Sequence, residues 1–284
     1  MVTKEEYGRF ETAWCPGCGN FMLLESLKAA LAACGLKPHQ ILIVSGIGQA
    51  AKTPQYLYCN MFNGLHGRAL PAATGAKLAN HELVVIVESG DGCIYGEGGN
   101  HLVHAIRRNI DITCLVHNNQ VYGLTKGQAS PTSDLGLETG TSPSGNYIEP
   151  YNPLTAAIAL DCGFVARAFV GEQEHLSRLI QKGIEYRGFA LIDILQPCVT
   201  FNKVNTFKWY KERVYKLEET GYDPTDKTAA FVKSQEWGER IPIGVLCNRE
   251  RETLESHEAA IKKRPLVKRE WKPQLLENII ESLR

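Results

Sequence analysis

Two cysteines near the start of the chain, Cys15 and Cys18, have the spacing of a metal-binding or redox pair. They lie three positions apart in "AWCPGCGN", residues 13 to 20, with proline and glycine between them. Thiolates at this spacing suit a zinc site, a dithiol redox centre or half of an iron–sulfur site. The pair by itself does not distinguish these kinds of chemistry.

A second group of residues has the types that hold Mg²⁺ against a phosphate. Asp91 lies in a glycine-rich turn after one apolar run, and Asn119 follows the next apolar run, in "HNNQVYGLT". The 25 residues between Gly92 and Asn118 fit one helix and one strand, so both side chains are expected at one edge of a parallel sheet. A carboxylate, an amide oxygen and the Val121 carbonyl are oxygen ligands that suit Mg²⁺ beside a diphosphate. Bare backbone N–H groups at Gly92 favour the same ligand.

A third stretch, "SGIGQAAK" at residues 45 to 52, satisfies the dinucleotide pattern G-x-G-x-x-A through Gly46, Gly48 and Ala51. That pattern also requires an acidic residue at the end of the next strand, about 20 residues on. The chain has only "NGLHGRALP" there, and no strand is predicted. We therefore favour a tight strand-to-helix turn over a dinucleotide site.

Composition and charge narrow the class of protein. The 284 residues carry 31 Lys and Arg and 31 Asp and Glu, so the formal net charge is zero. A balanced charge does not favour nucleic acid or an anionic membrane as a partner. No leader-like apolar run opens the chain, and the longest apolar stretch is too short to span a bilayer. We expect a cytoplasmic location, where cysteines stay reduced. Four thiols in apolar stretches are expected to be buried as small hydrophobic side chains: Cys34, Cys114, Cys162 and Cys247.

The elements that must position these residues alternate along the chain. Buried strands are predicted over apolar, β-branched runs at 41–46, 83–90, 112–119, 164–170 and 190–197. Amphipathic helices are predicted between them at 21–34, 98–109, 153–162 and 172–186. This alternation predicts an α/β fold with a doubly wound, mainly parallel sheet, whose ligands bind outside the carboxyl ends of the strands.

From residue 201 the pattern changes to charged amphipathic segments and then to the basic "KKRPLVKREWKP". No linker precedes this part and no repeat appears in it. We predict one domain over residues 1–200, which includes the CxxC segment. Residues 201–284 are predicted to form a helical extension that packs on this domain or on a partner subunit.

Six stretches together resemble the β subunit of 2-oxoacid:ferredoxin oxidoreductases. They are "WCPGCGN", "SGIG", "LHGRALP", "GDG", "GGNHLVHAIRRNID" and "NNQVYGLTKGQASPTS". They agree in order and spacing over about residues 8 to 205, and GDG followed by NN is similar to the thiamine diphosphate signature. The resemblance implies the thiamine diphosphate-binding fold and coenzyme A-dependent oxidative decarboxylation of a 2-oxoacid. Electrons would pass one at a time through a [4Fe–4S] cluster to ferredoxin.

The resemblance also implies roles for individual residues. Asp91, Asn119 and the Val121 carbonyl would ligate Mg²⁺. Lys52 would pair with the C1 carboxylate of the substrate, and His66 in "LHGR" would bind the diphosphate or shuttle a proton beside it. The remaining cofactor contacts would come from Gly46, Ile47, Gly48, Gly92, Gly123, Leu124 and Thr125.

The family's cluster uses four cysteines, and Cys15, Cys18 and Cys198 match three of them. At the fourth position, directly after "SGIG", this chain has Gln49, and a carboxamide is a poor ligand for iron in a site made of thiolates. Three outcomes stay open: a non-cysteine fourth ligand, replacement by another thiol, or no stable cluster. We expect the cluster to form, and of the substitutes Cys59 and Cys93 we expect Cys59 to reach it more readily.

Thiamine chemistry also implies a partner chain. It needs a glutamate on the pyrimidine ring, which the family's α subunit supplies. We therefore expect an αβ or (αβ)₂ assembly that uses a 2-oxoacid, coenzyme A and ferredoxin, without nucleic acid or membrane partners. Among substrates, 2-oxoglutarate is favoured over pyruvate or a broad range of 2-oxoacids, because the chain resembles the short two-subunit type.

Two hypotheses from other classes stay open. Gln49 suggests a thiamine-dependent decarboxylase subunit, a lyase without a functional cluster. A zinc-stabilised binding module on Cys15 and Cys18 requires two further ligands, and the nearest candidates, Cys34 and His39, have no familiar zinc spacing.

Overall fold

In the computed structural model, an eight-stranded sheet lies between two layers of helices. The structure describes residues 1–270 and 272–284, so Trp271 of the predicted basic segment lies outside the described residues. The strands are β1 (Ile41–Ser45), β2 (Asn60–Asn63), β3 (Val84–Gly90), β4 (Ile112–Asn118), β5 (Val121–Tyr122), β6 (Gln128–Ala129), β7 (Phe164–Phe169), β8 (Phe189–Leu195), β9 (Val214–Lys216) and β10 (Ile241–Asn248).

The helices are α1 (Gly19–Ala33), α2 (Ala69–Ala79), α3 (Gly99–Arg108), α4 (Pro153–Ala159), α5 (Gln173–Glu185), α6 (Phe207–Lys211), α7 (Lys227–Ser234), α8 (Leu254–His257) and α9 (Pro273–Ser282). The four predicted helices, which are α1, α3, α4 and α5, begin and end within three residues of their predicted bounds. A 3₁₀ helix, Ala50–Tyr56, follows β1, and a π-helical turn, Gly92–Glu97, follows β3.

The sheet has the spatial order β2-β1-β3-β4-β8-β7-β10-β9. Its neighbouring strands run parallel except β7 and β10, which confirms the predicted fold class. The chain leaves β1 for β2 on one side and returns to β3 on the other. The order therefore reverses between β1 and β3, and ligands of doubly wound sheets bind at such a switch point.

Helices cover both faces because each has one apolar stripe. In α3, Leu102, Ala105 and Ile106 are buried at helical spacing, while Arg107 and Arg108 face solvent. The core on one face is built from α1 and α5, and the core on the other from α2, α3 and α4. The five strands predicted from apolar runs are the five central parallel strands, which are buried on both sides.

Two strands differ from the sequence-based expectation. The prediction of no strand after the "SGIG" turn is wrong, since β2 pairs in parallel with β1. All four β2 residues are exposed at the sheet edge, its two apolar residues are adjacent and do not alternate with polar ones, and it ends in Asn63 instead of an acidic residue. The segment 201–284 is not only helical, because it also supplies β9 and β10, and β10 pairs antiparallel with β7.

Three of the four thiols predicted to be buried are so, namely Cys114, Cys162 and Cys247. The fourth, Cys34 at the end of α1, is only partly buried, so that prediction is wrong for it. Within residues 1–270 and 272–284, no helix is both long and apolar enough to cross a membrane.

Candidate functional site

The polar residues picked out from the sequence leave the sheet at one edge. Gly90, the last residue of β3, is in register with His117 of β4, and Asn118 is in register with Leu195 at the end of β8. Because these strands are parallel, Asp91 and the loops after β4 and β8 emerge together at their carboxyl ends. The edge adjoins the switch point between β1 and β3.

Asp91 is a buried carboxylate with neutral partners. It is 1% exposed, and its Oδ2 accepts hydrogen bonds from Ser130 Oγ at 2.5 Å and from Thr132 Oγ1 at 2.7 Å. Burial raises the pKa of Asp91 to about 6, although the two hydroxyls and the Gly92 backbone N–H act against this shift. A divalent cation at this carboxylate would supply the positive charge that these partners lack.

A chain of buried polar groups extends from Asp91 to β8. The Thr132 hydroxyl lies 2.9 Å from Asn118 Oδ1, and Asn118 Nδ2 donates to Asp193 Oδ1 at 3.1 Å. Tyr95 donates its hydroxyl proton to the same Asp193 oxygen at 2.8 Å. Each group is fixed by the next, so the position of Asp91 depends on residues from the π-helical turn, β4, β8 and the loop that holds Thr132.

The loop after β4 carries the other predicted magnesium ligands. Asn119 Oδ1 accepts a 3.1 Å hydrogen bond from the Val121 N–H and keeps a second lone pair. The small β5–β6 hairpin pairs Val121 with Ala129, and its connecting loop contains Gly123, Leu124 and Thr125. Thr125 donates to Gln128 Oε1 at 2.5 Å, which closes that loop. These oxygens fit Mg²⁺ in type and in their place at the strand ends.

The "SGIG" turn is tight, as its sequence predicts. Gly48 has φ +123°, which favours glycine, and Asn63 Nδ2 donates to the Gly46 carbonyl at 2.8 Å. A Cβ at Gly46 would overlap Cys93 Sγ, so this turn presses against the turn after β3. Gly46, Ile47 and Gly48 therefore border the switch point.

Each of the two predicted catalytic residues follows a turn at the sheet edge. Gly67 N–H donates to Cys93 Sγ at 3.2 Å, and the His66 ring faces the Tyr122 ring at 6.0 Å between centroids. Tyr122 donates to the Gly92 carbonyl at 3.3 Å, which places His66 beside the turn that follows Asp91. Lys52 lies in the 3₁₀ helix after the "SGIG" turn and is half-buried.

Three thiols line one cavity of about 360 Å³: Cys15, Cys18 and Cys198. Gln196 Nε2 donates to Cys18 Sγ at 3.5 Å, and the Phe201 N–H donates to Cys198 Sγ at 3.4 Å. Burial raises the pKa of Cys18, and the neighbouring sulfurs add to the shift while hydrogen bonds from Asn20 N–H and Gln196 oppose it. The cavity is also lined by Gln49, Asn119, Gly123 and Leu124, so it adjoins the predicted cofactor loop.

The thiols share this cavity without forming a closed metal site. Among residues 1–270 and 272–284, no group of three His, Cys, Asp or Glu side chains is arranged to hold a metal ion. Neither predicted substitute thiol lines the cavity: Cys93 lies under Gly46, and Cys59 packs on the apolar core. The expectation that Cys59 could reach the site is therefore wrong for this structure.

The zinc hypothesis has no support from the fold. Cys18 and Cys34 flank the two ends of α1, about 24 Å apart at 1.5 Å per residue. Cys34 lines a different cavity, with Leu36 and His81. His39 lies beyond that far end of the helix, so neither candidate can join Cys15 and Cys18.

Sequence reasoning missed the residues that fix the carboxylate. Ser130 and Thr132 lie in "QASPTS", a run whose hydroxyls follow the β5–β6 hairpin, but their bonds to Asp91 span 39 and 41 positions. Asp193 was part of a predicted strand, and its charge inside a buried run was a usable indication of a polar network.

Two protein-family models match the chain. "Thiamine pyrophosphate enzyme, C-terminal TPP binding domain" matches residues 43–194. The model of the C-terminal part of the "Pyruvate ferredoxin oxidoreductase beta subunit" matches residues 198–263. The first match covers the strand ends described above. The second covers Cys198 and the segment that supplies β9 and β10.

Curated relatives and a solved structure are similar over most of the chain. The β subunit of 2-oxoacid:ferredoxin oxidoreductase 1 from Aeropyrum pernix is 47% identical over 242 residues, which cover 82% of this chain and 76% of the relative. The β subunit of 2-oxoacid:ferredoxin oxidoreductase from Saccharolobus solfataricus is 47% identical over 249 residues, 84% of this chain and 82% of the relative. The solved structure is 2-oxoglutarate:ferredoxin oxidoreductase from Magnetococcus marinus with 2-oxoglutarate, coenzyme A and succinyl-CoA bound. It superposes with a TM-score of 0.91 at 33% identity, covering 98% of this chain and 96% of that chain.

Proposed function

The chain belongs to the β subunits of 2-oxoacid:ferredoxin oxidoreductases, and from this we propose that it binds thiamine diphosphate and Mg²⁺ in a 2-oxoglutarate-oxidising enzyme. The reaction is the coenzyme A-dependent oxidative decarboxylation of 2-oxoglutarate, or the reverse reductive carboxylation. The observation that carries the proposal is Asp91, a buried carboxylate at the switch point of the sheet. It has two hydroxyl donors and, within the described part of the chain, no cationic hydrogen-bond partner.

Residues 1–200 hold the cofactor in this proposal, and residues 201–284 extend their sheet. Thiamine diphosphate, when bound, supplies the nucleophilic carbon and the electron sink for decarboxylation. Asp91, Asn119 and the Val121 carbonyl hold Mg²⁺ against the diphosphate. Backbone groups of the neighbouring turns line that diphosphate: Gly46, Ile47, Gly48, Gly92, Gly123, Leu124 and Thr125. Their positions on adjacent loops at one sheet edge support this assignment.

Lys52 and His66 act on the substrate side of the cofactor. The Lys52 ammonium pairs with the C1 carboxylate of the 2-oxoacid, which orients the carbonyl carbon. His66 hydrogen-bonds the diphosphate or moves a proton beside it, since an imidazole has nitrogens that can donate or accept a proton. The contact of the His66 ring with Tyr122, which in turn binds Gly92, supports this placement.

Cys15, Cys18 and Cys198 would hold an iron–sulfur cluster, which would supply one-electron transfer to ferredoxin. The shared cavity and the N–H donors to Cys18 and Cys198 support this assignment, because such donors stabilise ligating thiolates. The site around the pyrimidine ring is completed by the α subunit in an αβ or (αβ)₂ assembly. The cytoplasm is the expected location, where the free cysteines stay reduced.

The preference for 2-oxoglutarate over pyruvate or a broader range of 2-oxoacids is supported by the Magnetococcus marinus enzyme, whose structure contains 2-oxoglutarate and coenzyme A. A second candidate, a thiamine-dependent decarboxylase without electron transfer, is favoured only by Gln49. That lyase would release CO₂ and an aldehyde without coenzyme A and without reducing an acceptor.

The test uses the anaerobically purified complex of this chain with its α subunit. Addition of 2-oxoglutarate and coenzyme A should reduce a viologen dye faster than pyruvate does, and analysis should find thiamine diphosphate, magnesium, iron and sulfide. Asp91→Asn should abolish dye reduction, whereas Asp223→Asn, at an exposed aspartate, should not. CO₂ release without dye reduction would favour the lyase, and a complex that retains no thiamine diphosphate would contradict both candidates.

A further inference from the structure

Gln49 completes the lining of the thiol cavity. Its side chain lines the cavity together with Cys15, Cys18 and Cys198. The Gln49 Oε1 atom is buried and has no hydrogen-bond partner among residues 1–270 and 272–284. Three cysteines and a glutamine whose carboxamide oxygen is unpaired therefore line one space, and the three sulfurs suit three corners of a four-iron cluster.

The Gln49 backbone is fixed to the cysteine loop. Trp14, directly before Cys15, donates its indole N–H to the Gln49 carbonyl at 2.9 Å and is 6% exposed. Its ring packs edge-on against Tyr56 at 4.8 Å between centroids. Trp14 thus connects the two segments that line the cavity, and the Gln49 backbone cannot move away from the cysteine loop without breaking this contact.

No fourth thiol of the described chain lines the cavity. Cys93 Sγ accepts a hydrogen bond from Gly67 N–H beneath the "SGIG" turn. Cys59 is packed against the apolar core, and burial raises its pKa to about 12, so it resists becoming a thiolate.

From this arrangement we propose that Gln49 occupies the fourth corner of the thiol cavity, so that the cluster holds three irons by cysteine and one iron that is exchangeable. This inference rests on the proposed function, because it concerns the cluster assigned there. A carboxamide oxygen is a weak, neutral ligand for iron compared with a thiolate, so the iron at this corner is the one released when the cluster is oxidised.

Release of this iron requires the removal of one electron from the cluster and frees one iron ion. Ferricyanide takes one electron from [4Fe–4S]²⁺ and becomes ferrocyanide, which leaves [4Fe–4S]³⁺. The oxidised cluster releases Fe²⁺ and becomes [3Fe–4S]⁺, with its sulfides and the three thiolates retained. Dithionite supplies the electron and added Fe²⁺ supplies the metal for the reverse process.

The experiment oxidises the anaerobic αβ complex with ferricyanide and follows two quantities, the Fe²⁺ trapped by a chelator and the EPR spectrum. We expect release of about one Fe²⁺ per cluster and the EPR signal of an oxidised three-iron cluster, both reversed by dithionite with Fe²⁺. Gln49→Cys should retain its iron and show no three-iron signal under the same conditions. Gln55→Cys, at an exposed glutamine of the 3₁₀ helix that directly follows Gln49, is the matched control and should behave like the unaltered protein.

The other possible results distinguish a failure of this inference from a failure of the proposed function. Unaltered complex that keeps all its iron and still reduces dye contradicts the exchangeable corner but leaves the proposed function intact. A change in iron release by Cys59→Ser or Cys93→Ser would assign the corner to that thiol and contradict the role of Gln49. A complex without iron and sulfide overturns both this inference and the cluster in the proposed function. If Gln49→Cys does not assemble, iron release is compared in the unaltered complex and in Gln49→Ala. Both should release one iron, and retention of all the iron by either would contradict the inference.

Discussion

The Thr132 hydroxyl lies 2.7 Å from Asp91 Oδ2, although the two residues are 41 positions apart. This bond joins the loop after the β5–β6 hairpin to the turn after β3. It lowers the pKa of Asp91 against the effect of burial. A distant loop therefore favours the ionised carboxylate that a cation would bind.

Removal of this hydroxyl should weaken cofactor binding. We expect Thr132→Val to raise the pKa of Asp91 further and to lower the Mg²⁺-dependent affinity for thiamine diphosphate by about 10- to 100-fold, the usual range for a residue behind a metal ligand. Calorimetric titration of the cofactor-free complex measures this affinity. Thr141→Val, at an exposed threonine of the same loop, is the control. Equal affinities of the two variants would show that the bond has no such role.

Asp91 should destabilise the protein when no cofactor is bound. Its pKa is about 6 in the folded chain and 3.8 without the fold, so the folded state binds the extra proton between these values. Stability therefore falls as pH rises from about 4 to 6, and the ionised carboxylate costs up to about 3 kcal/mol at neutral pH. Asp91→Asn should raise the Tm of the cofactor-free, chelator-treated complex at pH 7 and change it little at pH 4.

The same variant should gain no stability from the cofactor. Addition of Mg²⁺ and thiamine diphosphate should raise the Tm of the unaltered complex and leave that of Asp91→Asn unchanged. A cofactor-free Asp91→Asn complex that melts below the unaltered one at pH 7 would contradict the direction of this pKa effect.

The contact between the "SGIG" turn and Cys93 should appear as coupling between two substitutions. Gly46→Ala places a Cβ against Cys93 Sγ, so we expect a loss of about 1–3 kcal/mol of unfolding free energy from overpacking. Cys93→Ala in the same chain removes that sulfur and should recover part of the loss. Gly75→Ala, in α2 with open space around it, should be neutral or stabilising by up to about 1 kcal/mol. Urea unfolding of the unaltered chain, Gly46→Ala, Cys93→Ala and the double variant measures the coupling, and strictly additive effects would rule it out.

The buried end of the polar chain should contribute to stability. Tyr95→Phe leaves Asp193 without a hydroxyl donor at 2.8 Å and should cost about 1.5–3 kcal/mol, because the lost bond is to a buried charged group. Tyr147→Phe, at a tyrosine that is 87% exposed, should change the unfolding free energy little. Similar midpoints in urea for both variants would contradict the importance of this bond.

Local patterns in the amino-acid sequence were enough to predict the central elements and the residue types of the site. The apolar runs predicted the five central strands, because parallel strands that are buried on both faces need continuous apolar sequence. The spacing from Asp91 to Asn119 predicted one strand–helix–strand unit, and the pairing of Gly90 with His117 confirms it. The edge strand β2 escaped prediction because its residues are exposed and its two apolar residues do not alternate with polar ones.

Which distant side chains meet depends on the packing of the folded chain. The bonds of Ser130 and Thr132 to Asp91, and of Tyr95 to Asp193, join residues whose separation along the chain carries no periodic pattern. The sequence also showed that Gln49 stands where a fourth cysteine was expected, but left open whether another thiol replaces it. The fold places Cys59 against the core and Cys93 beneath Gly46, whereas Gln49 lines the same cavity as Cys15, Cys18 and Cys198.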